Sequence, residues 1–205
     1  MGVDYSSTDA AFGFQPYGQL LRAQLYAIIT APTINVSIND IVVHGSTMAS
    51  TPVGYLAAIE DGSVPDSDPQ ILGSVIAVFD SDMKHVQNIA AAATGNGTIA
   101  GYVMVADHPD QLFIAQEDGD SNAIDVAEAG MNCDLISVAL CAPDSNTGLS
   151  TQELDSDSAA NTEGLQFRLL WPHQDDTPAD DTNANARWVV RVNEHFYSAT
   201  QAGLA

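Results

Sequence analysis

The sequence predicts an all-β protein: an antiparallel β-barrel or sandwich, jelly-roll or tulip-like, with an extended N-terminal arm and little helix. Three observations predict it. Nine short runs rich in Val, Ile, Tyr and Phe are separated by Gly, Pro, Asn and Asp. No long amphipathic helical pattern falls between them, which argues against alternating strand and helix. Finally, 45% hydrophobic residues supply enough apolar surface to fold a chain of 205 residues despite its charge.

Taken in order, residues 1 to 19 mix Ser, Asp, Gly, Gln and Pro with Phe12, Phe14 and Tyr17 and follow neither period. They read as an extended arm, leaving residues 20 to 205 as a single β-rich domain. Aromatics on such an arm have too few local partners to bury themselves. They must dock on their own body or on another chain. The candidate strands are Leu25 to Thr30, Ile41 to His44, Tyr55 to Ile59, Ile71 to Phe79, Tyr102 to Ala106 and Leu112 to Gln116, then Leu135 to Leu140, Phe167 to Trp171 and Trp188 to Val192. Helix is confined to two places. Ser150-Thr151-Gln152-Glu153 has capping-box spacing and would open a turn or two. The alanines of Val86 to Ala93 also permit a helix, closed by the turn-forming Thr94-Gly95-Asn96-Gly97. Asp61 to Asp68, Asp155 to Glu163 and Asp175 to Asp181 read as acidic surface loops.

Five Lys and Arg stand against 27 Asp and Glu, a net charge of −22. Arg22, Lys84, Arg168, Arg187 and Arg191 are scattered singly, so the clustered cations that nucleic acid or an anionic membrane requires are missing. The first residues lack the basic and apolar regions of an export signal, and no apolar run is long enough for a membrane helix. Cys133 and Cys141, eight apart, fit no paired metal spacing. They read as reduced, mostly buried thiols in preference to a disulfide.

The motifs that carry chemistry elsewhere each fall short. Gly95-Asn96-Gly97-Thr98-Ile99-Ala100 has dinucleotide-loop spacing but runs into a strand instead of the helix that would hold a pyrophosphate. Asp118-Gly119-Asp120-Ser121-Asn122 opens like a calcium loop, then places Ala123 and Ala129 where glycine and a bidentate glutamate belong. It reads as a polar turn. Asp107-His108-Pro109-Asp110 puts two carboxylates round an imidazole, and Pro109 makes a strand-ending turn the better account. His44, His85, His108, His173 and His195 share no ligand spacing. No catalytic, cofactor or metal residue is therefore assigned, and a jelly-roll enzyme with a folded-together metal site is a minor third reading. Arg187, Val189 and Arg191 share one face of a strand, and the arginines are assigned to intramolecular carboxylates before an intermolecular contact.

The order of several segments resembles a known family. These are Gly13-Phe14-Gln15-Pro16, Ile38-Asn39-Asp40-Ile41-Val42, Val105-Ala106-Asp107-His108-Pro109 with Leu112-Phe113, Gln116-Glu117-Asp118-Gly119 and Gly130-Met131-Asn132. They continue with Gly148-Leu149-Ser150, Glu153-Leu154-Asp155, Phe167-Arg168, Trp188-Val189-Val190 and Val192-Asn193-Glu194-His195, spanning residues 12 to 196. This order resembles the head decoration, or cement, proteins of tailed bacteriophages. Related chains usually carry Gly where Asn39 stands and Asp where His108 stands. The resemblance implies a non-enzymatic virion protein, made in the host cytoplasm, that binds the outer surface of the expanded capsid. Its partners would be the major capsid protein and its own copies, as a homodimer or homotrimer. The candidate capsid or subunit contacts are Phe12, Phe14, Pro16, Tyr17, Leu20, Arg187 and Arg191. The alternative is an acidic β-sandwich that binds carbohydrate or a host surface through exposed aromatics, for which Trp171, Trp188 and Tyr197 are the candidates.

Overall fold

The computed structural model describes residues 9–29, 35–51, 54–61, 71–91, 93, 99–120, 122–136, 144, 147–173 and 184–198. The chain is all-β. The strands are β1 (Gln15–Tyr17), β2 (Ala23–Ile29), β3 (Val36–Ser37), β4 (Ile41–Thr51), β5 (Gly54–Asp61), β6 (Ile71–Asp80), β7 (His85–Val86), β8 (Asn88–Ile89), β9 (Ile99–Ala106), β10 (Leu112–Gln116), β11 (Asn132–Cys133), β12 (Phe167–Pro172) and β13 (Arg187–Val192). A five-stranded sheet runs β1-β10-β13-β12-β11, and a six-stranded sheet runs β4-β5-β2-β9-β6-β7. An additional β4–β6 pairing closes the ring β4-β5-β2-β9-β6. Pairings are antiparallel except β2 with β5, where Ala27 faces Ala58 in parallel register.

The closed ring needs a close approach of backbones at one corner. Gly73, at φ 151, lies against Ala106, whose carbonyl oxygen would sit 2.0 Å from any added Cβ. Only glycine fits there. Two large apolar cores result, with a small third cluster of Ala27, Ile99 and Tyr102. One lies under the five-stranded sheet and includes Phe14, Phe113, Phe167, Leu169 and Trp188, and it also takes Ile41, Ile71 and Ala106 from the six-stranded sheet. The other fills the ring with Tyr26, Ile28, Val42, Leu72, Val75, Val78, Val103 and Val105.

Of the two ways the arm's aromatics could dock, the described part shows the first for Phe14. Within the described part, Gln15–Tyr17 is an edge strand on β10, and Phe14 is fully buried and stacked on Phe167 with centroids 4.6 Å apart. The aromatic docks on its own body because a buried site lies within reach of the strand. Gly13 makes the turn at φ 71, with Ser150 Cβ and the Asn39 carbonyl packed where a side chain would stand.

Both helix expectations give way. At Ser150 the hydroxyl accepts from the Gln152 amide, while Gln152 Oε1 accepts from the buried Ile41 amide at 2.6 Å. The Ser150 amide donates to the Ile38 carbonyl, so tertiary pairing outweighs the local cap. A reciprocal cap forms instead around the 3₁₀ turn Val126–Glu128, between Asp125 and Glu128, and a second 3₁₀ turn spans Ser156–Ser158. Val86 to Ala93 yields β7 and β8, which pair with Phe79 and Val78 and with Val36 and Ser37. The acidic stretch from Asp155 to Glu163 is a surface segment, exposed at Asp157 and from Asn161 to Glu163, that is tied to the body where Ala160 exchanges hydrogen bonds with Asn132. Part of Leu135 to Leu140, all of Thr94 to Gly97, most of Asp61 to Asp68, all of Asp175 to Asp181, and Cys141 lie outside the described residues.

Candidate interaction surface

Three polar clusters and one sheet face carry the groups that chemistry requires. The first cluster surrounds Asp107 at the end of β9. Its carboxylate is fully buried, paired with Arg22 Nε at 2.8 Å and accepting from the Tyr26 hydroxyl at 2.6 Å. Arg22 also donates to the Asp107 carbonyl at 2.7 Å and lies over the Tyr197 ring at 4.7 Å. Burial first, then the Asp107 hydrogen bond, push the Tyr26 hydroxyl far above its ordinary range. His195 lies close by, 2% exposed, with burial lowering it to about 4. This cluster ties β2, β9 and the chain after β13 together. It has the form of a structural clamp, since the carboxylate is saturated and enclosed.

The motif His108-Pro109-Asp110 turns as expected: His108 Nδ1 accepts from the Asp110 amide at 3.1 Å, as an aspartate at that place would. Asn39, at φ 69, adopts the left-handed conformation that glycine or asparagine tolerates. Its side chain donates to the Phe12 carbonyl and its own carbonyl accepts from the Phe14 amide, both at 2.9 Å. Both residues therefore fit the turns they occupy.

The second cluster is acidic. Glu117 is fully buried, accepting from the Asn185 and Ala186 amides, and burial pushes it up to about 7. Glu153 rises to about 8 through burial, then through repulsion from Asp9, Asp118 and Glu117. The third is the polar turn at Asp118, whose carboxylate accepts from the Ser156 hydroxyl at 2.7 Å. Asp120 accepts from the same hydroxyl at 3.0 Å and from the Asn122 amide at 2.8 Å. Among the described residues no group of three or more His, Cys, Asp or Glu is placed to hold a metal ion. Cys133 is a buried thiol, raised well above its ordinary value chiefly by burial.

The outer face of the five-stranded sheet gathers the remaining candidates. Register sets Tyr17, Leu112, Arg191 and Arg168 in one row and Gln15, Ile114, Val189 and Trp171 in the next. Alternation turns Phe113, Val190 and Leu169 inward and sets Leu112, Arg191 and Arg168 on the opposite face; beyond the irregularity between Leu169 and Trp171, Trp171 is exposed while Val189 opposite it is fully buried. Arg187 lies over the Phe12 ring at 5.3 Å, and Arg191 pairs with Asp110 at 3.6 Å. Pro16 sits on the edge strand, where its missing N–H disturbs no central ladder. Leu20 and Leu21, which follow β1, are 45% and 47% exposed.

Of the sequence candidates, Phe12, Pro16, Tyr17, Arg187 and Arg191 thus share the edge and outer face of one sheet, and Leu20 adjoins it. Phe14 does not belong with them, being core. Of the aromatics assigned to sugar binding, Trp171 and Tyr197 are exposed, the latter with its hydroxyl beside the Asp107 clamp, and Trp188 is fully buried. Leu21 was missed, though it stands beside Leu20 with no apolar periodicity to bury it. Comparison of the chain with family models, with curated proteins and with solved structures returned no match. No helix among the described residues is long and apolar enough to cross a membrane.

Proposed function

We propose that this chain is a decoration protein of a tailed-bacteriophage head. In this reading it binds the outer surface of the expanded shell and bridges major capsid protein subunits, without catalysis, as a homodimer or homotrimer. The observation that carries the reading is the apolar pair Leu20-Leu21, half exposed at the end of an edge strand on a protein of net charge −22. Copies so acidic repel one another, so attachment must come from apolar and main-chain contact, with salt screening the repulsion. Covering the exposed part of each leucine contributes roughly 1 kcal/mol. The segment order that resembles cement proteins supports the same reading. Tyr17, Leu20 and Leu21 take the contact role, and Phe14 anchors the strand that presents them.

Co-sedimentation with undecorated expanded heads tests it. Saturable binding at a fixed ratio to the major shell protein is expected. The double variant L20E/L21E should stay folded and lose at least about tenfold in affinity. Absence of wild-type binding would overturn the reading.

A further inference from the structure

Trp171 stands 45% exposed on the outer face of the five-stranded sheet, opposite Val189, which is fully buried. Two residues either way along β13 on the same face are Arg187 and Arg191, diagonal neighbours of Trp171 at about 7–8 Å between Cα atoms. Arg168 lies directly opposite Arg191 in the adjoining row. Three of the five cations of a chain with net charge −22 therefore fall on one sheet face. Like charges directly opposed destabilise a sheet. Two of them have weak partners among the described residues: Asn132 Oδ1 accepts from Arg168 Nε at 3.2 Å, and the Arg191–Asp110 pair is long at 3.6 Å with side chains 41% and 70% exposed. Tyr17, Trp171, Pro172 and His173 line a cavity of about 290 Å³, with the Tyr17 and His173 rings edge to face at 5.7 Å.

We propose that this face binds an acidic saccharide, a sugar of the uronic acid type. Its pyranose ring stacks on the Trp171 indole, and its carboxylate takes Arg191 in place of Asp110. The chemistry selects this class. An exposed indole offers a flat face to sugar C–H groups, and a guanidinium fork matches a carboxylate with two parallel hydrogen bonds. A phosphate polymer is a poorer fit, because it needs many neutralising cations along its length and the rest of the surface repels it. Recognition here is short-ranged: the net charge opposes approach, and salt that screens over about 8 Å relieves that opposition. The inference stands apart from attachment to a shell, since the ring and the carboxylate need only this one face.

Fluorescence tests it on the intact protein alone. The chain has two tryptophans, and Trp188 is fully buried, so a change in the solvent-exposed emission reports Trp171. Titration with trigalacturonate should give a saturable blue shift. The methyl-esterified trimer, which keeps the ring and loses the charge, should bind at least about tenfold more weakly, and R191Q should lose a similar factor for the acid form. W171F should abolish the shift while near-ultraviolet circular dichroism from Trp188 stays unchanged. No shift into the millimolar range, equal affinity for acid and ester, or undiminished binding by R191Q would each overturn the proposal.

Discussion

Asp107 shows how a single side chain is made indispensable by what surrounds it. A fully buried carboxylate is tolerable only with its lone pairs engaged, and Arg22 and the Tyr26 hydroxyl engage them at 2.8 and 2.6 Å. D107N keeps the size and removes the charge, leaving Arg22 without its ion pair and weakening the acceptor for Tyr26. A loss of about 2–3 kcal/mol is expected, at the low side of buried-pair breakage because the Arg22 side chain is 36% exposed. Urea denaturation of the variant checks this, and an unchanged midpoint would refute the clamp. Phe14 makes the same point for packing, since its ring fills a site between Phe167 and the turn at Gly13.

At the scale of an element, β1 matters most. Three residues paired with β10 are a minor hydrogen-bonded contribution, yet they carry Phe14 into the core and present Tyr17 on the face. An arm that merely reaches for a partner could be removed without harm to the body. Deletion of residues 1 to 19 should instead lower the melting temperature by about 6 °C or more. Truncating a buried Phe alone costs about 3–5 kcal/mol, and each kcal/mol shifts a domain of this size by roughly 2–4 °C. Differential scanning calorimetry of the truncated chain decides it. An unchanged transition would mean that the segment is dispensable to the fold.

For the whole molecule, acidity and stability are linked. Glu117 and Glu153 are raised from 4.5 to about 7 and about 8, chiefly by burial. Groups raised in the folded state favour folding fully below their unfolded value and lose that contribution as pH rises through the folded one. His195, lowered from 6.5 to about 4, acts in the opposite sense, contributing above 6.5 and losing it as pH falls towards 4. Two carboxyls against one imidazole leave a net gain on acidification from pH 8.5 to about 5, and relief of repulsion among 27 acidic residues adds to it. The melting temperature should therefore be higher at pH 5 than at pH 8.5, and E153Q should flatten the difference. A curve level or rising towards pH 8.5 would contradict the assignment of these groups.

Local sequence suffices for the all-β class and most long strands, because β-branched runs punctuated by Gly, Pro and Asn are signals read over a few residues. It also determined the acidic balance and the turn at His108, where the deciding hydrogen bond spans only two positions. The tertiary structure decided what depends on distant partners. Ser150 and Glu153 carry a sound helix cap that Ile41 and Ile38 override from outside the segment by bonding to Gln152 and Ser150. Phe12, Phe14 and Tyr17 look alike on the page, and only the pairing of β1 with β10 sends Phe14 inward and its neighbours out. The gathering of Arg168, Arg187, Arg191 and Trp171 on one face depends on strand register between β12 and β13, and no local pattern encodes which residue of one strand will stand opposite which of the other.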